Sequence, residues 1–243
     1  MKLIKKIKEL ARLDSYFNKS NRNTYDTLAS LLLHRLFPTS TILPFTPFSL
    51  NPNTILHIIN EIQINKRNSI IEFGSGISTI IIAKYLKDNN IQASMISIED
   101  NKEWAQYINE LLKKYGCEDQ AFVEYIPLKE YASEKYNGLW YDVAILSKAI
   151  MTLQFDLVIV DGPGAGNNKL IRLPALIEIS NALFPDFIIF LDDTKRDGEK
   201  KIFYEWKLYL KEIGIRVSGE IMESKVYATI NSGKGFSSNP MSY

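Results

Sequence analysis

The residues of this chain whose spacing could do chemistry are glycines and carboxylates set directly after apolar runs. Gly74 and Gly76 follow the run at 69–73. One glycine lets a chain turn tightly after a strand, and a second lets a ligand approach the backbone. The amides at the start of the next helix then face that ligand. The spacing is Gly74-x-Gly76-x-x-Thr79, with Ser75 and Ser78 inside the turn, so the third glycine of a strict dinucleotide fingerprint is missing. Glu99 ends the next apolar run, 23 residues after Gly76. In a doubly wound sheet an acid at about this distance accepts hydrogen bonds from ribose hydroxyls; the plain alternative is a solvated loop carboxylate. Asp100 is the neighbouring candidate, because strand ends read from sequence are uncertain by a residue or two.

Asp161 directly follows Leu157-Val158-Ile159-Val160, and Asp192-Asp193 directly follow Ile188-Ile189-Phe190-Leu191. Open α/β sheets bind ligands at such carboxyl ends of strands. Three carboxylates brought together repel unless they are protonated or bridged by a cation. Hard divalent ions such as Mg²⁺ take oxygen ligands, so Asp161, Asp192 and Asp193 could form a metal site that holds and acidifies a substrate hydroxyl. The alternative is that Asp193 caps the following helix and Asp161 only shapes a turn.

These residues need a scaffold that alternates strands with helices, and the pattern supplies one. Apolar runs at 69–73, 93–98, 121–127, 155–160 and 187–191 read as strands, with a terminal antiparallel pair at 215–220 and 225–231. Helical spacing appears at 79–87, 102–115 and 198–212, and within 169–183, where Pro174 interrupts it. The expected fold is α/β: a doubly wound, Rossmann-like, mostly parallel seven-stranded sheet ending in an antiparallel hairpin. Residues 1–68 read as a helical prelude packed on the core, 69–231 as the ligand-binding domain, and 232–243 as a mobile tail. Within the prelude, helices are expected at 25–37 and at 54–63, the second capped by Asn53. Residues 1–13 are basic and amphipathic, with Leu3, Ile4, Ile7, Leu10 and Ala11 on one face, and read as a helix packed on its own domain or a partner, with a membrane-surface helix the alternative.

Composition excludes several classes. The 243 residues carry 29 Lys and Arg against 28 Asp and Glu, so neither nucleic acid nor an anionic membrane is demanded as partner. No apolar run reaches the ~18 residues of a membrane span, and the cytoplasm is the default location. The single cysteine, Cys117, cannot form an intrachain disulfide and reads as an idle thiol.

Three segments together are specific: Ile71-Glu72-Phe73-Gly74-Ser75-Gly76-Ile77-Ser78-Thr79, Phe155-Asp156-Leu157-Val158-Ile159-Val160-Asp161-Gly162-Pro163 and Leu191-Asp192-Asp193-Thr194. In order and spacing, over residues 53–231, they resemble the class I S-adenosylmethionine-dependent methyltransferases. The Gly76-Ile77-Ser78-Thr79 turn and the Asp161-Gly162-Pro163 loop are similar to bacterial sugar O-methyltransferases, and Asp161 with Asp192-Asp193 resembles the metal ligands of catechol-type and caffeoyl-CoA-type O-methyltransferases. The resemblance implies S-adenosylmethionine as donor, with Glu72 approaching its methionine amino group and Glu99 or Asp100 its ribose. The turn residues Gly74, Ser75, Gly76, Ser78 and Thr79, and Asp161, would complete the cofactor site. It implies a small hydroxyl acceptor, a sugar or phenol, or a glycan or sugar nucleotide, whose adjacent oxygens a Mg²⁺ ion would orient. The sequence departs from the catechol-type group where Asp161 is followed by Gly162-Pro163-Gly164-Ala165-Gly166 in place of Ala-x-Lys; Lys169 is the nearest lysine. Asp161, Asp192 and Lys169 are therefore the candidate catalytic groups.

His34 and His57, the two histidines, read as structural. Phe45, Pro47 and Phe48 are candidate pocket walls, with core or lid packing the equal alternative. Trp140 and Tyr141 are candidates to stack on adenine or acceptor, while Trp104 reads as core. Arg172 and the Lys195-Arg196 pair could contact an anionic acceptor. Two rival readings share the turn and the ribose acid: a nicotinamide-dependent oxidoreductase, and a non-catalytic cofactor-binding relative. Homo-oligomerisation is left open.

Overall fold

The computed structural model describes residue 20 and residues 23–166, 168–222 and 226–240. The basic stretch 1–13 lies outside the described residues. Helix α1 covers residues 23–34. Then come α2 (Pro52–Ile64), β1 (Ser69–Phe73), α3 (Ile77–Asp88), β2 (Ser94–Glu99), α4 (Lys102–Lys114) and β3 (Ala121–Tyr125). A hairpin, β4 (Leu128–Ala132) and β5 (Asn137–Tyr141), precedes α5 (Val143–Ile150), β6 (Phe155–Val160) and α6 (Pro174–Ile179). β7 (Leu183–Leu191), α7 (Asp197–Glu212), β8 (Ser218–Met222) and β9 (Tyr227–Asn231) complete the fold.

The main sheet has seven strands in the order β3-β2-β1-β6-β7-β9-β8. Neighbours among the first five pair in parallel, and β9 pairs antiparallel with both β7 and β8. Its parallel strands are apolar along both faces because helices cover both. Ile70, Leu157, Ile159, Ile188 and Phe190 point into the layer of α2, α3 and α4. Ile71, Phe73, Val158, Val160, Ile189 and Leu191 point into the layer of α6 and α7. The chain winds outward from β1 to β3, then returns to set β6 beside β1. The strand order reverses there, and the crevice at that switch point is where doubly wound sheets bind ligands.

Several local expectations change. Helix α2 starts at Pro52, not Thr54, and its N-cap is Asn51; proline's fixed φ suits the first helical position and its missing N–H costs nothing there. Pro174 likewise begins α6 rather than interrupting a longer helix, and residues 169–173 form turns. The segment between β3 and β6, read as loop, holds the β4–β5 hairpin and α5. The stretch 233–240 runs along α2: Asn65 Nδ2 donates to the Phe236 carbonyl at 3.0 Å and Asn60 Nδ2 to that of Ser238 at 2.8 Å. No helix among the described residues is long and apolar enough to cross a membrane.

Candidate active site

The glycine turn is held from below and from the side. Glu72 is fully buried and accepts hydrogen bonds from Ser78 Oγ (2.6 Å), Thr79 Oγ1 (2.5 Å) and Ser97 Oγ (2.8 Å). Burial pushes its carboxyl up to about 7, against the pull of those hydroxyls. Glu72 thus ties β1, β2 and the first turn of α3 together. Thr79 Oγ1 also accepts the Gly76 amide at 3.0 Å, which caps α3.

Gly74 has φ +93°, and a Cβ built on it would lie 2.7 Å from the Gly162 nitrogen. The two turns cross in contact, and the amides of Asp161 and Gly162 both donate to the Phe73 carbonyl, at 2.9 and 2.6 Å. A Cβ on Gly76 would meet nothing within 4 Å, so the backbone there faces open space. Glu99 lies beside the turn. Its Oε2 accepts from Ser75 N (2.9 Å) and Ser75 Oγ (2.8 Å), and its Oε1 from Asn101 N (3.0 Å). A carboxylate has about four acceptor positions, so one remains for a ribose hydroxyl. Burial raises the pKa of Glu99 and of Asp100, which lines the same cleft.

Two adjoining cavities open over the turn. One, about 320 Å³, lies toward α4 and the prelude and is lined by Leu50, Ile77 and Ile108. The other, about 740 Å³, reaches across the strand ends to Asp192 and Asp193. Gly74, Ser75, Trp104, Phe48, Ser49 and Asp161 line both. These sizes are those of small-molecule pockets. Phe48 and Pro47 do reach the cleft, whereas Phe45 packs against the core. Trp104 corrects the sequence reading: it is 36% exposed, its Nε1 donates to the Ser75 carbonyl at 2.9 Å, and its ring forms a cleft wall. Asn101 caps α4 by accepting the Trp104 amide at 2.9 Å, and the indole hydrogen bond to Ser75 holds the ring in place. Trp140 and Tyr141 correct it the other way. They are 0% and 1% exposed and pack under Phe73, so they support the turn from within the core.

At the far end of the cleft, Asp161, Asp192 and Asp193 offer carboxylate oxygens within 4.8 Å of one another. Arg172, 3% exposed, lies among them. Its Nη2 donates to the Asp161 backbone carbonyl and is 3.2 Å from Asp161 Oδ1, and its Nη1 is 3.2 Å from Asp193 Oδ2. Arg196 Nη1 pairs with Asp193 (2.9 Å) and Glu199 (3.4 Å). Asp192 is buried, and its Oδ1 has no hydrogen-bond partner. Burial and the neighbouring acids raise the carboxyls of Asp161 and Asp192 together. Lys169 is exposed on the cleft rim. His57 is buried away from this cleft, between Tyr227 Oη (2.7 Å) and Ser238 Oγ (2.9 Å), and Cys117 is buried.

No protein-family profile matches the chain, and no curated protein matches it. Solved structures do. A methyltransferase from Podospora anserina with S-adenosylhomocysteine bound matches at TM-score 0.55, 16% identity, over 93% of this chain and 96% of that one. An O-methyltransferase from Bacillus cereus in complex with S-adenosylhomocysteine matches at TM-score 0.51, 16% identity, over 87% and 89%. An O-methyltransferase from Streptomyces achromogenes in complex with S-adenosylmethionine matches at TM-score 0.52, 15% identity, over 86% and 90%. The chain therefore has the Rossmann-like fold of the S-adenosylmethionine-dependent methyltransferases and resembles bacterial O-methyltransferases.

Proposed function

We propose that this chain transfers a methyl group from S-adenosylmethionine to a hydroxyl of a small acceptor. The observation that carries the reading is the crossing of the glycine turn with the Asp161 loop at the β1–β6 switch point, beside a cavity that Gly76 leaves open. The residues suit the donor: α3 directs its first amides into the smaller cavity, Glu99 keeps an acceptor position for a ribose hydroxyl on the adjoining larger one, and Trp104, which lines both, offers a flat wall for adenine. Glu72, fully engaged by three hydroxyls, acts by holding the turn. The donor, when bound, supplies an activated methyl on a sulfonium. The S–CH₃ bond breaks as the O–CH₃ bond forms, and S-adenosylhomocysteine leaves. The chain's task is to align the two reactants and remove a proton. Asp161 borders both cavities and, its carboxyl raised by burial, is our assignment for the group that takes the acceptor proton; Asp192 and Lys169 stand around the same acceptor space. A sugar or phenol, free or as part of a glycan or sugar nucleotide, suits that space in size and polarity.

The three carboxylates suit a divalent ion in spacing, and the unpartnered Asp192 Oδ1 is a ready ligand. They do not suit a resident ion in charge, because Arg172 and Arg196 already pair with Asp161 and Asp193. No step of the proposed reaction is routed through a metal.

Thermal unfolding with added cofactor tests the donor. Saturation to 100 times Kd adds about 2.7 kcal/mol of stability. S-adenosylmethionine or S-adenosylhomocysteine should raise Tm and NAD should not. A rise with NAD alone would favour the oxidoreductase reading. Transfer of labelled methyl to a panel of sugars and phenols then identifies the acceptor.

A further inference from the structure

The acidic end of the cleft holds more negative charge than a buried site keeps without compensation, and Arg172 supplies that compensation from within the chain. A guanidinium with 3% exposure must have its charge met locally. Arg172 meets it with Asp161 after β6, through a hydrogen-bonded ion pair at 3.2 Å, and with Asp193 after β7, through an ion pair at 3.2 Å in which Nη1 makes no hydrogen bond, while its Nε donates to the Pro163 carbonyl at 3.4 Å. It thereby joins the two strand-end loops that border the acceptor space. Arg196 adds a second positive charge on Asp193. Together the two arginines carry the charge of one divalent ion, distributed over two of the three candidate ligands.

We propose that Arg172 is a positioning residue that takes the place of a divalent metal ion, holding the Asp161 and Asp193 carboxylates in register so that the acceptor site is assembled without added metal. The inference rests on the donor-binding reading above. Its physical corollary is that removing the guanidinium creates a metal site. Asp161 would then lose its cation and Asp193 would keep only that of Arg196, with Asp192 Oδ1 already buried and unpartnered beside them. Their oxygens, within 4.8 Å of one another, can converge on a single ion with ligand distances of ~2.0–2.6 Å.

The test is Mn²⁺ binding, read by the loss of the free-ion electron paramagnetic resonance signal, to EDTA-treated full-length protein. S-adenosylmethionine titration of each variant is the parallel measurement. The wild type and Arg172→Lys, which keeps the charge, should leave millimolar Mn²⁺ free. Arg172→Gln should bind Mn²⁺ at least about tenfold tighter than the wild type, the scale on which ligand-orienting groups act, and Asp192→Asn in that background should abolish the gain. Mn²⁺ binding by the wild type that Asp192→Asn removes would overturn the proposal. So would an Arg172→Gln protein that folds and binds S-adenosylmethionine but gains no Mn²⁺ affinity, since a merely structural arginine would lower Tm and do nothing more. If Arg172→Gln does not fold, the wild type and Arg172→Lys decide: silence in both supports the proposal, and binding in either defeats it. Failure of S-adenosylmethionine to bind the wild type would count against the donor reading and leave the Mn²⁺ result standing.

Discussion

At the scale of single residues, Glu72 and Trp104 make separable predictions. The folded form holds the Glu72 proton more tightly than the unfolded chain, with a pKa of about 7 against an ordinary 4.5. Its contribution to stability is therefore fully present below pH 4.5 and is lost as pH rises through 7. The loss amounts to about 3 kcal/mol across that window. Glu72→Gln should remove this part of the pH dependence, so the stability difference between variant and wild type, measured by urea unfolding at pH 5 and pH 8, should shift in the variant's favour at the higher pH. An unchanged difference would mean that Glu72 is ionised in place. Trp104→Ala should weaken S-adenosylmethionine binding about fivefold, the equivalent of one aromatic stack of ~1 kcal/mol, with little change in Tm, because the ring is more than a third exposed. Calorimetric titration reads the first effect and a melting curve the second. Glu72 was legible in the sequence as a residue of the turn, expected to approach the donor, but its burial under three hydroxyls, one of them from β2, comes from the fold. Trp104 was not: three positions beyond an N-cap is an ordinary core position, and only the angle of α4 turns the ring into the cleft.

At the scale of elements, the site depends on two loops touching. Gly74 and Gly162 leave no room for a methyl group between β1 and the loop after β6. Gly74→Ala should cost ~1–2 kcal/mol for the positive φ and ~1–3 kcal/mol for the overpacking. It should also reduce S-adenosylmethionine affinity more than Trp104→Ala does. Equilibrium unfolding and cofactor titration check both parts, and a variant that binds normally would show that the crossing does not shape the site. Strands β1, β2, β6 and β7 were readable because strands covered on both faces are runs of Ile, Val, Leu and Phe. The β4–β5 hairpin was not readable, because its strands are short and mostly exposed, with burial concentrated at Trp140 and Tyr141. An indole and a phenol that look like ligand contacts in a loop become core once the hairpin folds over Phe73.

At the scale of the whole molecule, the two ends of the sheet do different work. The acidic cleft lies at the carboxyl ends of the parallel strands. At the opposite end, Arg67 Nε pairs with Glu61 at 3.2 Å, Nη1 pairs with Asp186 at 2.8 Å, and Ser238 from the terminal stretch donates to Glu61. Arg67→Met would leave Glu61, 3% exposed, without its cation, and should cost ~3–5 kcal/mol. S-adenosylmethionine affinity should not change, because the cleft is at the other end of the strands. A parallel loss of affinity in the folded variant would show that the two ends are coupled.

The sequence by itself determined the alternation of strands and helices, the position of the glycine turn and the carboxylates at the strand ends, because periodicity and strand-end placement are local properties. Only the tertiary structure decided which of those carboxylates meet, that Arg172 lies among them, that Trp104 faces the cleft while Trp140 does not, and that the terminal stretch covers α2. The reason is that charge pairing and exposure depend on which distant elements pack together. Arg172 is 11 residues from Asp161 and 21 from Asp193 in the chain, yet is 3.2 Å from each in the fold.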